Sequence, residues 1–339
     1  MSGLYDSSAS STNDKVQLVS LLDIEFAAER IADYAVRTPL LSFAALDGRV
    51  GAKVYVKPEN LQRTGSFKFR GAFNRLSQLT DDEKAGGVVA WSSGNHAQGV
   101  AAAAKILGIR AAIVMPSDAP MVKIDGTKSY GAEIVHYDRY TESREDIGRD
   151  LALSRNAVLV PSYDDPGIIA GQGTCGLEIA QQLADIGVTP DALLVCCGGG
   201  GLVAGSSIAI KSTFPNIDVY SVEPVGFEDH KRSFEAGHRV GIDPDARSIC
   251  DALLSPIPGE LTFPINIENL KGGLSVSDDE VRDAMRFAFS EMKLVVEPGG
   301  AVALAALLSG KLETRSKTIG IVLSGGNVDP LAFAEIVKA

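Results

Sequence analysis

Residues 191–210 of this chain read DALLVCCGGGGLVAGSSIAI, and this stretch indicates the fold. The apolar run Ala192–Cys197 is typical of a buried strand, and four consecutive glycines follow it. The next residues, Val203–Lys211, have the composition of a helix. A strand that leads through a loop into a helix is the repeating unit of sheets whose strands run parallel.

The same unit recurs along the chain. Short apolar runs, rich in β-branched residues, are each followed by a loop, and several by a helical stretch. We predict strands at Val54–Val56, Gly87–Trp91, Ala111–Met115, Ala132–His136, Ala157–Val160, Ala192–Cys197, Val219–Val222 and Ile319–Leu323. This alternation predicts a mostly parallel, doubly wound α/β architecture. Helical periodicity over residues 21–36 and a capping box at Ser277 predict two of its helices.

Composition excludes several classes of protein. The chain has 339 residues, 45% of them hydrophobic, as in a soluble globular protein of about two domains. No apolar run reaches the ~18 residues that a membrane span needs. The formal net charge of −11 argues against nucleic acid as a partner, because binding a phosphate backbone needs a basic face.

The N-terminus and the cysteines indicate an intracellular setting. Residues 1–15 are polar and Ser-rich without the apolar core of a signal peptide, so we expect a loose tail on a cytoplasmic protein. The cysteines have no zinc-ligand spacing and are expected to be free, buried thiols. They are Cys175, Cys196, Cys197 and Cys250.

In parallel sheets, ligands bind beyond the carboxyl ends of the strands, so the loops after the strands are the candidates for chemistry. In residues 64–72 (TGSFKFRGA), Lys68 lies between Phe67 and Phe69. Partial burial by these rings would lower the pKa of the amine and make it a nucleophile. The alternative is an ordinary surface lysine at the start of a helix.

Three further loops are unusual, and two of them favour binding of an anion. Residues 92–96 (SSGNH) precede an Ala-rich helix, where backbone N–H groups and hydroxyls can bind a negative group. The glycine loop of Gly198, Gly199, Gly200 and Gly201, followed by Leu202, suits a phosphate but matches neither the dinucleotide nor the NTP-binding motif. Residues 324–327 (SGGN) follow the last predicted strand. Singly, these loops could be an N-cap, a flexible hinge and a simple turn.

Together, the order of these four loops resembles the fold-type II pyridoxal-phosphate (PLP) enzymes, and most of all the threonine/serine dehydratase and serine racemase group. PENLQRTGSFKFRGA (58–72), AGQGT (170–174) and VEPGGA (296–301) belong to the same pattern, and the similarity runs from about Leu21 onward. It implies two open, mostly parallel twisted sheets with helices on both faces. Residues 1–77 and 159–339 would form a large PLP-binding domain, and residues 78–158 a small mobile domain that closes on the substrate.

The resemblance implies a role for each loop. Lys68 would form the Schiff base with the cofactor, Phe67 would pack beside the pyridine ring, and Gly198–Leu202 would hold the phosphate. Asn95 would bind the phenolic oxygen and Ser324 the pyridine nitrogen. A neutral hydroxyl at that nitrogen makes the cofactor a weaker electron sink, which suits prompt loss of a β-leaving group.

The same resemblance implies the reaction. Ser92, Ser93, Asn95 and His96 would surround the carboxylate of a small amino acid substrate. Lys68 would remove the α-proton, and Ser93 would face the opposite side of Cα as a second acid or base. We expect elimination from serine, threonine or 3-hydroxyaspartate to a 2-oxo acid and ammonia, with racemisation as a side activity. Racemisation as the main activity, β-replacement with a thiol and a non-catalytic sensor of the same fold are the alternatives.

One loop departs from the family. Pro161-Ser162 stands where these enzymes commonly have His-Pro, and Tyr163 stands where the racemase has an asparagine, which leaves the substrate open. Arg144 matches a position that in the racemases can approach a carboxylate. A substrate with a second carboxylate, such as 3-hydroxyaspartate, is therefore a candidate, and a solvated charge on a helix surface is an equal alternative.

A divalent cation is also implied. Glu223 and Asp229 follow the predicted strand Val219–Val222 and match acidic positions of the serine racemases, with the Phe227 carbonyl between them. Two carboxylates and a carbonyl leave positions for water, as Mg²⁺ or Ca²⁺ prefers, and Mn²⁺ is a third candidate. Spacing alone would favour a solvated acidic loop. The family resemblance further implies a homodimer.

Overall fold

The computed structural model describes residues 19–338 apart from Ser93, Pro120 and Arg139. The predicted N-terminal tail, residues 1–15, and the candidate acid/base Ser93 therefore lie outside the described residues. In the described part, nine strands form two sheets, and all pairings between these strands are parallel. The predicted α/β fold with two parallel sheets is confirmed.

The larger sheet has five strands in the order β1-β9-β6-β7-β8. Numbered in chain order, they are β1 (Lys53–Pro58), β6 (Ala192–Cys196), β7 (Asp218–Pro224), β8 (Gly272–Val276) and β9 (Thr318–Leu323). The strand β8, with the sequence GGLSV, is missing from the sequence prediction. Its two glycines and half-buried side chains do not produce the continuous apolar run that marks the other strands.

The smaller sheet has four strands in the order β4-β3-β2-β5. They are β2 (Val88–Trp91), β3 (Ala111–Pro116), β4 (Glu133–Tyr137) and β5 (Val158–Leu159). All four lie within residues 88–159, near the bounds expected for the small domain. The domain bounds and the mobility of this part remain predictions.

Fourteen α-helices connect and cover the strands of the described residues. They are α1 (Leu21–Ile31), α2 (Ala44–Val50), α3 (Lys68–Ser77), α4 (Asp81–Gly86), α5 (Asn95–Leu107), α6 (Met121–Ser129), α7 (Arg144–Arg155), α8 (Pro166–Asp185), α9 (Gly201–Thr213), α10 (Asp229–Ala236), α11 (Thr262–Asn269), α12 (Asp278–Phe287), α13 (Pro298–Leu308) and α14 (Pro330–Val337). The first helix is shorter than the predicted 21–36. The capping box at Ser277 is confirmed. The Ser277 side chain accepts from the Glu280 N–H, and the Glu280 carboxylate accepts from the Ser277 N–H.

Helices α8 and α9 pack backbone against backbone, which fixes the glycine loop that precedes α9. A Cβ added at Gly176 would lie 2.5 Å from the Ser206 Cα, and one at Gly205 would lie 2.7 Å from the Gly173 Cα. Glycine is therefore required for this approach.

The four cysteines are free and buried, as expected. Among the helices of the described residues, none combines the length and the apolar content of a membrane span.

A buried cluster of charges anchors the start of α3. The Arg70 guanidinium binds Glu59 at 2.7 Å and Glu178 at 2.7 Å, and the Lys57 amine binds Glu178 at 2.6 Å. The side chains of Arg70, Glu59 and Lys57 are fully buried. Buried charges are tolerated only when they are paired and hydrogen-bonded, so this cluster fixes the position of α3 relative to α8.

Candidate active site

The four loops singled out from the sequence meet at one cavity of about 340 Å³. The cavity is lined by the carboxyl-end loops of both sheets, so it lies between them. Of the predicted site residues, the lining includes Phe67, Lys68, Ser92, Asn95, His96, Arg144, Gly198, Gly199, Gly200, Gly201, Leu202 and Ser324. Loops far apart in sequence thus form a single site, as expected where parallel strands end.

Lys68 is the first residue of α3, and its half-buried side chain carries an amine without a carboxylate partner among the described residues. Its Nζ donates a hydrogen bond to the Ser162 carbonyl at 2.7 Å and lies 5.2 Å from the centre of the Phe67 ring. Burial of the amine lowers its pKa to about 8. An amine with that pKa is partly neutral near physiological pH and can act as a nucleophile or base.

The glycine loop forms a cradle in which three positions, Gly199, Gly200 and Gly201, leave no room for a Cβ unless their neighbours shift. A Cβ at Gly199 would lie 2.3 Å from the Tyr163 ring, and a Cβ at Gly200 would lie 2.5 Å from the His230 ring. A Cβ at Gly201 would lie 2.6 Å from the Gln172 side-chain oxygen. Gly200 is the N-cap of α9, with a φ of 94° that L-residues rarely adopt. Bare backbone at the N-terminus of a 13-residue helix can bind an anion such as phosphate.

Asn95 and Ser324 lie on the cavity wall, and both are nearly buried, at 8% and 4% exposure. The Asn95 Nδ2 donates to the Glu297 carboxylate, and the Asn95 Oδ1 accepts from the Asn327 Nδ2 at 2.7 Å. Burial raises the pKa of Glu297 to about 7, and the charge of Asp251 adds to the effect. Sequence reasoning assigned Glu297 no role; its only signal was the VEPGGA segment.

His96 is buried and neutral. Its Nε2 lies 2.9 Å from the Val160 carbonyl oxygen, and burial together with the Lys68 charge lowers its pKa to about 3. Because a carbonyl only accepts a hydrogen bond, Nε2 carries the proton of the neutral ring, and Nδ1 is left as an acceptor that cannot bind a carboxylate. The Ser92 side chain is half-buried and accepts from the Gly94 N–H at 3.2 Å.

Arg144 and Tyr163, the residues that left the substrate open, both line the cavity. Arg144 begins α7, its side chain is 43% exposed, and its ion-pair partner among the described residues is the adjacent Glu145, at 2.8 Å. The half-buried Tyr163 ring lies against the Gly199 backbone. The guanidinium is therefore near the cavity and loosely paired, since exposed ion pairs contribute only about 0–1 kcal/mol.

The two acidic residues of the expected cation site lie together, apart from the cavity lining. Glu223, in β7, and Asp229, in α10, are both fully buried, so a solvated acidic loop, which spacing favoured, is wrong. Glu223 accepts from the His230 and Lys231 N–H groups at 2.8 and 2.9 Å. Burial raises the pKa of Glu223 well above its usual range and that of Asp229 to about 7.

The donor set of this acidic pair fits a divalent cation. Neither carboxylate oxygen of Asp229 has a hydrogen-bond partner among the described residues, although both are buried. Two neighbouring buried carboxylates, one of them with unpartnered oxygens, are unfavourable as anions unless a cation or a proton lies between them. In the part of the chain that the structure describes, no three His, Cys, Asp or Glu side chains cluster, so a third protein ligand of a cation here would have to be another kind of oxygen, such as a backbone carbonyl.

Comparison with known proteins identifies the class. The chain belongs to the pyridoxal-phosphate dependent enzyme family, whose model matches residues 31–325. It is similar to the L-threo-3-hydroxyaspartate ammonia-lyase of Pseudomonas sp, with 47% identity over 95% of this chain and 100% of that protein. It is also similar to the serine racemase of Schizosaccharomyces pombe, with 42% identity over 96% of this chain and 99% of that protein.

A solved structure agrees with this assignment. The crystal structure of a threonine deaminase from T.th. matches with a TM-score of 0.86 and 44% identity, over 91% of this chain and 99% of that one. The chain is thus a PLP-dependent enzyme of fold type II, in the branch that contains ammonia-lyases and racemases. Its cavity fits the cofactor, because Lys68, whose amine has no carboxylate partner among the described residues, and a glycine cradle at a helix N-terminus line the same space.

Proposed function

We propose that this enzyme is an ammonia-lyase for L-threo-3-hydroxyaspartate. The substrate loses its α-proton and its β-hydroxyl group, and water then replaces the nitrogen, so that a 2-oxo dicarboxylate and ammonia are released. Bound PLP supplies the electron-withdrawing group that makes the α-proton acidic. The likeness to a hydroxyaspartate ammonia-lyase over nearly the whole length of both chains supports the reaction class.

In this proposal, each residue or loop of the site has a defined role. Lys68 holds the cofactor and takes the α-proton, which suits an amine whose pKa is about 8. The glycine loop binds the phosphate, Phe67 packs beside the ring, and Ser324 faces the pyridine nitrogen. Asn95 donates to the phenolic oxygen.

The substrate α-carboxylate binds at the start of α5. The Ser92 hydroxyl and the backbone N–H of His96, in the first turn of the helix, provide hydrogen bonds there, and the helix N-terminus provides a favourable field. We propose that Ser93, outside the described residues, takes part in this site and faces Cα from the side opposite Lys68.

The observation that carries the choice of substrate is the position of Arg144. Arg144 lines the cavity, and its guanidinium is paired only with the neighbouring Glu145 among the described residues, so exchange of this partner for a substrate carboxylate costs little. An arginine can bind a carboxylate through two parallel hydrogen bonds. A β-carboxylate, which threonine and serine lack, would use this contact.

Steady-state kinetics with L-threo-3-hydroxyaspartate, L-threonine and L-serine tests the proposal, with 2-oxo acid and ammonia as the products measured. We expect the highest kcat/KM for hydroxyaspartate. Arg144→Ala should lower that kcat/KM about 10- to 100-fold, as expected for loss of a hydrogen bond between charged groups, and should change the threonine value much less. A higher kcat/KM for threonine or serine would overturn the proposal.

Arg149→Ala is the matched control for Arg144→Ala. Arg149 lies on the same helix, is exposed, pairs with Asp146 and is absent from the cavity lining. Its removal should leave all three kcat/KM values unchanged. Equal losses for hydroxyaspartate and threonine in Arg144→Ala would mean that the arginine acts on the common α-carboxylate or on folding, and not on the second carboxylate.

Racemisation is a second candidate activity, favoured by the likeness to a serine racemase. It needs a proton donor on the face of Cα opposite Lys68, which we propose is Ser93. Ser93→Ala should then reduce conversion of L-serine to D-serine far more than elimination from L-serine. Equal reductions would assign Ser93 a structural role.

We also propose a divalent cation, Mg²⁺, Mn²⁺ or Ca²⁺, at Glu223, Asp229 and the Phe227 carbonyl. The buried, unpartnered oxygens of Asp229 support it. Its role is structural, because these residues are absent from the cavity lining. A homodimer, a cytoplasmic location and closure of a small domain of residues 78–158 are further proposals, supported by the family resemblance.

A further inference from the structure

Glu297 is a buried acid on the cavity wall whose side-chain partner among the described residues is Asn95. It is 2% exposed, and its Oε1 accepts from the Asn95 Nδ2. Its backbone N–H donates to the Gly325 carbonyl at 3.1 Å. A Cβ at Gly325 would lie 2.2 Å from the Glu297 Oε1, so the glycine of the SGGN loop leaves the space that the carboxylate occupies. The two segments are therefore built to bring this carboxylate to Asn95.

Asn327 contacts the other end of the Asn95 amide. Its Nδ2 donates to the Thr64 carbonyl and to the Asn95 Oδ1, each at 2.7 Å. A backbone carbonyl can only accept a hydrogen bond, so the orientation of the Asn327 amide is fixed by Thr64. Because Asn327 presents a donor to Asn95, the Asn95 atom that faces it has to be the oxygen.

The two contacts fix the direction of the Asn95 amide. An asparagine amide can rotate by half a turn and exchange its donor for its acceptor, and only its partners decide which orientation is adopted. Here a donor, Asn327, faces the oxygen, and a carboxylate, Glu297, faces the nitrogen. The Asn95 Nδ2 carries two hydrogens and gives one to Glu297, so its second hydrogen is left for a group in the cavity.

We infer that Glu297 and Asn327 are positioning residues that hold Asn95 as a hydrogen-bond donor toward the phenolic oxygen of bound PLP. The inference rests on the proposed place of the cofactor ring beside Asn95, and it is independent of the substrate. A donor at this oxygen stabilises its negatively charged form, which is the form that absorbs in the visible range. If the amide turned over, the oxygen of Asn95 would face the phenolic oxygen, and two acceptors would repel each other.

Asn327→Asp tests the inference directly, because it replaces the donor by an acceptor of the same size. The carboxylate of this variant repels the Asn95 Oδ1 and favours the turned amide. The purified holoenzyme should lose much of its visible cofactor band to the near-ultraviolet band. Titration of the apoenzyme with PLP should give a dissociation constant raised about tenfold. This change corresponds to the loss of one hydrogen bond to a charged group.

Two variants of Glu297 complete the test. Glu297→Ala removes the acceptor and should shift the spectrum in the same direction as Asn327→Asp. Glu297→Gln keeps an oxygen that can accept from Asn95, so it should retain the visible band. A spectrum of Glu297→Gln as altered as that of Glu297→Ala would overturn the inference, since the charge and not the acceptor would then matter.

Asn60→Asp is the matched control. The Asn60 Nδ2 donates to the Val295 carbonyl at 3.1 Å, so the variant also removes a donor to a backbone carbonyl near this site, without touching Asn95. Its spectrum and PLP affinity should match those of the unaltered enzyme. Thermal unfolding of each apoenzyme identifies variants that fail to fold. A folded Asn327→Asp with an unaltered spectrum, or an Asn60→Asp with the same spectral change, would overturn the inference.

Discussion

Lys68 is set apart from the other lysines by its surroundings. Its amine contacts a carbonyl and an aromatic ring, whereas the buried Lys57 amine is paired with Glu178. The neighbouring titratable groups stay neutral over the physiological range, because burial lowers the pKa of His96 to about 3 and raises that of Cys196 to about 11. Lys68 can therefore titrate without a change in the charge of these two neighbours.

This environment predicts the pH dependence of cofactor attachment. Only the neutral amine attacks an aldehyde, and burial lowers the Lys68 pKa from 10.5 to about 8. The rate at which apoenzyme and PLP form the visible band should rise with pH and level off above about 8. Stopped-flow absorbance measures it. A rate that still rises through about pH 10, the range of an unperturbed lysine, would show an ordinary, solvated amine.

Lys68→Ala is the companion variant, and it should form no visible band at any pH. Lys53→Ala is its control, because Lys53 is a half-exposed lysine paired with Asp47, away from the cavity lining. The control should give the same rates as the unaltered enzyme. A visible band in Lys68→Ala would contradict the assignment of the attachment site.

Some residues of the candidate site can be predicted from the sequence, and others cannot. Lys68 and the glycine loop, which line the cavity, could be singled out because their own neighbours in sequence, two phenylalanines and a run of glycines, already carry the chemical signal. Glu297 was missed because its partner, Asn95, is 202 positions away, and no local pattern encodes a contact over that separation. The pairing of Arg70 with Glu178 was missed for the same reason.

At the scale of elements, the glycine loop before α9 predicts a specific defect. Gly200→Ala adds a Cβ 2.5 Å from the His230 ring at a φ of 94°. We expect PLP affinity to fall at least about tenfold, because the phosphate cradle has to shift by more than a hydrogen bond tolerates. Titration of the apoenzyme with PLP measures the change.

Gly108→Ala separates the cradle from the backbone strain. Gly108 is the C-cap of α5 with a φ of 68°, but a Cβ there would meet nothing within 4 Å. Both variants should lower the melting temperature, since alanine disfavours a positive φ in each. Only Gly200→Ala should weaken PLP binding. Equal PLP affinities in the two variants would contradict the proposed binding of the phosphate by the glycine loop.

The charge cluster beneath α3 predicts a large loss of stability. Arg70→Met leaves Glu59 buried without its main partner, and breaking a buried ion pair costs about 3–5 kcal/mol. Urea unfolding of the apoenzyme measures the free energy. Arg75→Met, on the same helix, breaks a partly exposed pair with Asp165 and should cost about 1 kcal/mol or less. Similar costs for both would contradict the anchoring role of the cluster.

Elements differ in how far their sequences define them. Strands β6 and β9 were predicted because continuous burial demands continuous apolar residues. Strand β8 was not predicted from the sequence because it is a half-buried edge strand. Its pairing with β7 depends on tertiary contacts and not on its own residues. The helix α12 was placed by its capping box, but the single π-helical turn after it, Ala288–Met292, has no such local signal.

At the scale of the whole molecule, the proposed cation would connect β7 to α10. Asp229 begins α10, and the ring of the next residue, His230, packs against Gly200. Removal of a cation by EDTA should therefore lower the melting temperature and the activity together, because two buried carboxylates then repel each other. Mg²⁺, Mn²⁺ or Ca²⁺ should restore both.

Asp229→Asn should abolish this response to EDTA and keep the cofactor bound. Asp243→Asn is the control, since Asp243 is an exposed acid outside this pair, and it should keep the response. An enzyme indifferent to EDTA, without metal by elemental analysis, would refute the cation and leave the catalytic site unaffected.

The pairing of β1 with β9 has a consequence for biosynthesis. Lys53 pairs with Thr318, so the first strand of the large sheet lacks its neighbour until nearly all of the described chain has been made. The small sheet, complete by residue 159, can form long before. Until β9 has been made, the backbone N–H and C=O groups of β1 on that side have no strand to pair with. Lys68 follows β1 and Ser324 follows β9, so a nascent chain can complete its cofactor site only after β9 has been made.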